Sequence, residues 1–430
     1  MPFEGKSREE IELILAESKK KFAHYKAKGL SLDMSRGKPN PEQLDLSMEM
    51  MDILGSDADF SSENGADCRN YGELSGIPEI KRLFSELLDI PAENIFVGGN
   101  SSLNLMFHTF SRAYAKGLAD SKEPWSKCET VKFLCPVPGY DRHFAVCEYF
   151  GIEMINVPML DTGPDMAVVE NLVRHDASIK GIWCVPIYSN PDGCIYSAET
   201  ISRLASMKCA ADDFTIMWDN AYSVHSLYAE RVSITGILSE CEKYGNANRV
   251  LLFTSANKIT LTGAGVSCIG GSKASMLAFI QTAAISTIGY DKLNMLRHAR
   301  FLKDKEAVLT LMEKHAALLR PKFEAVDDVL RENIGEYSIA EWTKPHGGYF
   351  ISLNAYPSTA KKTYELCREA GVTLTAPGAT FPYGMDPEDK NIRIAPSFPS
   401  LSEIKDATEI LSIALIITAA EETLHRATKD

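Results

Sequence analysis

The ten cysteines contain no Cys-x-x-Cys pair, the nine histidines form no His-x-x-x-His or Cys/His grouping, and no Gly-x-Ser-x-Gly turn occurs. These absences remove the sequence signatures of structural zinc, metal-dependent hydrolysis, dithiol redox exchange and serine-hydrolase chemistry. Long hydrophobic runs are missing too: the longest, Ile410 to Ala420, is too short to span a bilayer and carries Ser412 and Thr418. Positive charge is scarce, with 45 Lys plus Arg against 58 Asp plus Glu and a net charge of −13. Without a concentrated basic patch such a surface repels nucleic-acid backbones and anionic membranes, which leaves small molecules as the expected partners. The first ten residues are polar, which argues against a signal peptide, and several cysteines lie inside apolar runs such as Val131 to Val137. They read as reduced core residues of a cytoplasmic protein.

What is present is ordinary globular composition, 45% hydrophobic and 24% charged over 430 residues, enough for two or three domains. Ser7 followed by Glu10 is a capping-box signature, and Ile11, Ile14, Leu15 and Phe22 share one helical face ahead of Gly29. From Met34 to Leu46 the turn-rich Ser35-Arg36-Gly37-Lys38-Pro39-Asn40-Pro41 predicts an extended entry into the main body. Short apolar runs then alternate with helical patterns: Asn94 to Val97, Val131 to Cys135, Gly181 to Ile187, Thr215 to Trp218, Val250 to Phe253 and Val266 to Ile269. Runs that are apolar on both faces and separated by helices predict an α/β fold, a mostly parallel central sheet flanked by helices. Beyond about residue 300, a helical stretch from Leu302 to Asn333, strands near Tyr349 to Leu353 and Ile392 to Ile394, and a helix from Ser402 onward predict a smaller α+β domain. The expected organisation is an arm (1–46) packing with the small domain, a large domain (47–305) and the small domain (306–430).

Ligands of parallel sheets collect beyond the carboxyl ends of the strands. Five of these ends are followed by Gly98-Gly99-Asn100-Ser101-Ser102, Pro138-Gly139-Tyr140, Ser189-Asn190-Pro191-Asp192-Gly193, Asp219-Asn220-Ala221-Tyr222 and Ser255-Ala256-Asn257-Lys258. Singly, each reads as a turn, a helix cap or a solvated charge. In this order and setting, over roughly residues 30 to 400, the chain resembles fold-type I pyridoxal-phosphate enzymes, the aspartate aminotransferase superfamily.

The resemblance implies pyridoxal 5'-phosphate as cofactor and assigns roles that the residue types suit. Lys258 would supply the amine that joins the cofactor aldehyde, and burial would lower its pKa. Asp219 would keep the pyridine nitrogen protonated, while Tyr222 and Asn190 would hydrogen-bond the phenolic oxygen. The phosphate would sit at Gly99, Asn100, Ser101 and Ser102, where helix amides and hydroxyls meet an anion, with Ser255 adding a donor. Tyr140 would stack on the ring. Tyr71 would reach the partner's phosphate, implying a homodimer with shared sites. Arg393 would grip the substrate α-carboxylate with its planar fork, with Asn190 and Gly37 beside the substrate. The chain departs from many relatives at position 266, eight residues after the lysine, where Val stands in place of a phosphate-binding arginine.

The function so implied is an aminotransferase moving an amino group between an amino acid and a 2-oxo acid. A basic stretch from Tyr290 to Arg300, with Lys292, Arg297 and Arg300, resembles the region that sends a cation to a neighbouring site, which favours aspartate or glutamate. The alternatives are a β-lyase on the same scaffold and a non-catalytic sensor of the cofactor.

Overall fold

The computed structural model describes residues 2–427. The arm's residue 1 and the small domain's residues 428–430 lie outside the described residues.

The first helix, Arg8–Ala27, starts where the capping signature places it. The Ser7 hydroxyl accepts from the Glu10 amide, and the Glu10 carboxylate accepts from the Ser7 amide at 2.6 Å. Its apolar face, Ile11 with Ile14, Leu15 and Phe22, packs against the last helix, Leu401–Arg426. The segment after it is less extended than expected. Leu32–Asp33 pairs in parallel with Val372–Thr373, and then Pro41–Asp45 forms a short helix because Asn40 caps it and Pro41 occupies its first turn.

The central sheet has eight strands in the spatial order Ile95–Gly98, Ser267–Gly271, Val250–Ser255, Thr215–Asp219, Ile179–Cys184, Lys132–Val137, Glu153–Leu160 and Gly163–Pro164. Ser267–Gly271 runs antiparallel to both neighbours and Gly163–Pro164 to Glu153–Leu160; the other pairings are parallel. All six expected strands are present. The run expected through Ile187 ends at Cys184, because the chain leaves the sheet there and Ile187 bridges Ile195 instead. Glu153–Leu160 escapes a search for continuous apolar runs because buried and exposed residues mix along it, as suits a strand near the sheet's edge.

The helical stretch expected from Leu302 breaks at Lys303 and resumes as Lys305–Ile334, capped by Asp304. This helix joins the two lobes: Val308, Leu311 and Met312 pack in the core beside the central sheet, whereas Leu319 to Ile334 belong to the core of the other lobe. There Ala340–Trp342, Ile351–Ala355 and Asn391–Ile394 form an antiparallel sheet. The run Ile410 to Ala420 is entirely buried, its helix packing against Arg8–Ala27, Lys305–Ile334 and Ala360–Glu369, each large aliphatic side chain contributing at most about 1.5–3 kcal/mol. No helix among the described residues is long and apolar enough to cross a membrane. All ten cysteines are free.

Candidate active site

Sheet order, rather than sequence proximity, assembles the site. Thr215–Asp219 and Val250–Ser255 lie side by side with Asp219 opposite Phe253, so Asp219 and the Lys258 loop emerge on the same rim. The antiparallel strand carries Ser267 opposite both Gly98 and Ser255, which places the glycine-rich turn beside Ser255. Ser267 also holds the turn directly, its amide and hydroxyl both donating to the Gly99 carbonyl at 2.8 Å.

At the centre, Lys258 Nζ donates to Tyr222 Oη at 2.6 Å and lies over the rings of Tyr222 and Tyr349 at 4.2 and 5.7 Å. Burial pushes the Lys258 pKa down, Tyr140 and Asp219 oppose the shift, and Arg393 adds to it. Burial also pushes up the phenols around it, Tyr222 far above its usual value and Tyr140 to about 12. Tyr222 is therefore a neutral hydrogen-bonding partner near pH 7.

Asp219 is 4% exposed. One oxygen, Oδ2, accepts from His143 Nε2 at 3.1 Å; the other, Oδ1, is buried with no hydrogen-bond partner among the described residues. A buried carboxylate oxygen without a donor is costly, so this atom is set up to accept from a group the protein itself does not supply. His143 is held in turn by Trp183, whose ring stacks on it at 4.1 Å and 5°, while Tyr140 meets it edge-on at 4.9 Å.

Arg393, 7% exposed, comes from the small lobe's sheet and points back toward the rim. Its Nη1 donates to Asp141 at 2.8 Å and to Asn190 Oδ1 at 3.4 Å, its Nε donates to Thr375 at 3.3 Å, and its guanidinium lies 4.8 Å from the centre of the Phe350 ring. Gly37 lies against that ring. A Cβ there would sit 2.5 Å from Phe350 Cζ, so only glycine lets the arm pass so close.

The structure thus gathers Lys258, Tyr222, Asp219, Asn190, Tyr140, Arg393 and Gly37 around one cleft. Asn190 Oδ1 accepts from Arg393, which orients the amide and leaves its Nδ2 as the donor. Ser101 and Ser102 open the helix Ser102–Ala115, and Ser101 makes no capping bond with its side chain, which leaves the hydroxyls and first-turn amides beside Gly99 and Asn100 available to an anion. Ser255 is less free than expected, because its hydroxyl donates to Asn257 at 2.6 Å. Val266 is a core residue whose carbonyl accepts from the Ala256 amide. Tyr71 stands apart from this cluster, 81% exposed, its phenol making no hydrogen bond among the described residues. Arg297 and Arg300 contact the chain's own Met51 and Ser61 at the surface, and Lys292 is buried near the Gly289 backbone.

Sequence reasoning missed His143, Asp141, Trp183, Thr375 and Phe350. Asp141 and His143 directly follow Tyr140 at the start of a helix, and that adjacency was the available signal.

A strand-end lysine, a buried carboxylate lacking a donor and an anion-ready helix start on this sheet define an enzyme built to hold an aromatic, anionic cofactor. Comparison with known proteins gives the family. The family model described as aspartate amino-transferase matches residues 6–427. An aspartate aminotransferase of Corynebacterium glutamicum is 46% identical over 413 residues, covering 96% of this chain and 95% of that protein. A Mycolicibacterium smegmatis protein is 47% identical over 425 residues, 99% of each chain. The crystal structure of an aspartate transaminase from Corynebacterium glutamicum superposes with a TM-score of 0.95 at 45% identity, covering 98% of this chain and 99% of that one. The chain belongs to the aspartate aminotransferase family and is a pyridoxal-phosphate-dependent aminotransferase.

Proposed function

We propose that the enzyme holds pyridoxal 5'-phosphate at Lys258 and transfers amino groups between aspartate or glutamate and 2-oxoglutarate or oxaloacetate. The observation that supports this reading is the Oδ1 of Asp219, without a partner among the described residues and on the same rim as Lys258, an acceptor that suits a protonated pyridine nitrogen. Bound there, the cofactor supplies an electron-accepting ring that takes up the charge left when an α-proton departs.

The chain's own residues provide the rest. Lys258 Nζ, with its lowered pKa, takes and returns the α-proton, and Tyr222 Oη keeps that nitrogen in place. His143 and Trp183 fix the Asp219 carboxylate. Ser101, Ser102, Gly99 and Asn100 hold the phosphate, with Ser255 once its hydroxyl turns from Asn257. Arg393 binds the α-carboxylate, with Asn190 and Gly37 shaping its surroundings. The dicarboxylate preference is supported by the name of the Corynebacterium glutamicum relative, and Lys292 is the cation of the basic segment not engaged at Met51 or Ser61.

Homodimerisation in the cytoplasm completes the reading. Tyr71, Ile288 at 64% and Ile285 at 89% exposure bracket the point where Gly72 meets Gly289, an apolar patch of the kind a second copy covers. The test is Lys258→Ala. The variant should lose the visible absorbance of the lysine-linked cofactor and nearly all turnover with aspartate, and a wild type that takes up no pyridoxal phosphate would overturn the assignment.

A further inference from the structure

Arg393 is a buried guanidinium whose only anionic partner among the described residues is Asp141. Asp141 is itself one-third exposed and begins the helix Asp141–Tyr149; among the described residues its carboxylate bonds to nothing but Arg393 Nη1. The pair is unequal. Arg393 is anchored on several sides, by Asn190, Thr375 and the Phe350 ring, whereas Asp141 can swing toward the cleft mouth and stay favourable at its helix N-terminus. Among the described residues Arg393 Nη2 has no hydrogen-bond partner. An entering carboxylate can therefore begin to bind there, but two carboxylates on one buried guanidinium repel each other.

We propose that Asp141 is a displaceable counter-ion that sets how tightly Arg393 binds the substrate carboxylate. In the empty site it neutralises a cation that would otherwise be buried and unpaired, and it yields its place when an anion arrives. This rests on the reading of Arg393 as the α-carboxylate site. The consequence is an affinity deliberately held below what the arginine alone would give, because each carboxylate must outcompete a resident one. A merely structural role for the pair predicts the opposite sign, since loosening Arg393 would weaken anion binding.

The test uses the holoenzyme and succinate, an unreactive dicarboxylate, with binding measured by calorimetry. Asp141→Asn keeps an oxygen for Arg393 but removes the charge. It should tighten succinate binding roughly tenfold, the lower end of what a charge-assisted hydrogen bond is worth, and lower the KM for aspartate in parallel. Without ligand it should denature at a lower temperature than wild type, and succinate should restore more of that loss than it adds to wild type. Asp141→Ser, which also removes the charge, must change affinity in the same direction and serves if the first variant fails to fold. Arg393→Ala separates the two ideas. If it weakens succinate binding while both Asp141 variants bind no tighter than wild type, the counter-ion proposal is wrong and the carboxylate site stands; if Arg393→Ala leaves succinate binding unchanged, both are wrong.

Discussion

Gly37→Ala tests the link between the arm and Arg393, the proposed carboxylate site, with a single methyl group. The added Cβ would lie 2.5 and 2.9 Å from Phe350 Cζ and Cε1 and 3.1 Å from Tyr349 Cβ. Ordinary carbon contacts begin near 3.5 Å, so something must move by about 1 Å. The ring is hemmed in: Tyr349 is fully buried, its phenol accepts from Gln43, and Phe350 is 7% exposed beneath Arg393. Overpacking of this kind costs about 1–3 kcal/mol, and a shifted ring carries the guanidinium away from its place over it. The expected outcome is a thermal midpoint lower by several degrees and an aspartate KM raised about tenfold or more. Absorbance of the lysine-linked cofactor should persist, because Lys258, Asp219 and the glycine-rich turn do not touch residue 37. Heat denaturation, steady-state kinetics and the visible spectrum read the three quantities separately. A variant with wild-type KM and midpoint would refute the claim that Gly37 is required by close packing, and one that lost the cofactor instead would show that the arm acts on Lys258 rather than on Arg393.

Asp219→Ala should still take up cofactor but transfer amino groups orders of magnitude more slowly in single-turnover half-reactions, and near-normal rates would show that the partnerless Oδ1 has no role in the chemistry. Mixing Lys258→Ala with Tyr71→Phe subunits should restore activity in heterodimers if Tyr71 serves the neighbouring site; verified heterodimers without recovery would place each site within one chain. Gln43→Ala should cost about 1–3 kcal/mol in denaturant titrations, since Gln43 Nε2 serves both His315 Nδ1 and Tyr349 Oη at 3.1 Å while His315 holds the Ile259 carbonyl beside Lys258. Burial lowers His225 to about 3 and His298 and His315 to about 4. The unfolded chain protonates these imidazoles near pH 6.5 while the folded one does not, so stability should fall as pH drops from about 6.5 toward 4. Replacing His298 by Gln should flatten that slope, and an unchanged slope would discount its part in it.

Some of this protein was determined by its sequence alone. Apolar β-branched runs between helical patterns can only be buried strands, so the central sheet was legible, and polar residues directly after those runs had to lie on one rim. That reasoning reaches Asn190, Asp219 and Lys258 because each sits at the end of its own strand, where local pattern and location coincide. The capping of the first helix by Ser7 and Glu10 is likewise local. Tertiary structure decided the rest. That His143 meets Asp219, and that Arg393 pairs with Asp141 rather than standing open, follows from crossovers and from the small lobe's sheet folding back over the rim, neither of which leaves a periodic trace. Arg297 and Arg300 illustrate the same limit: a basic helix shows that cations exist, but only its packing beside Met51 and Ser61 decides where they point. Gly37 carries the contrast in one residue, since the sequence shows a turn-rich segment, whereas the need for glycine arises from a phenylalanine ring brought against it from the far end of the chain.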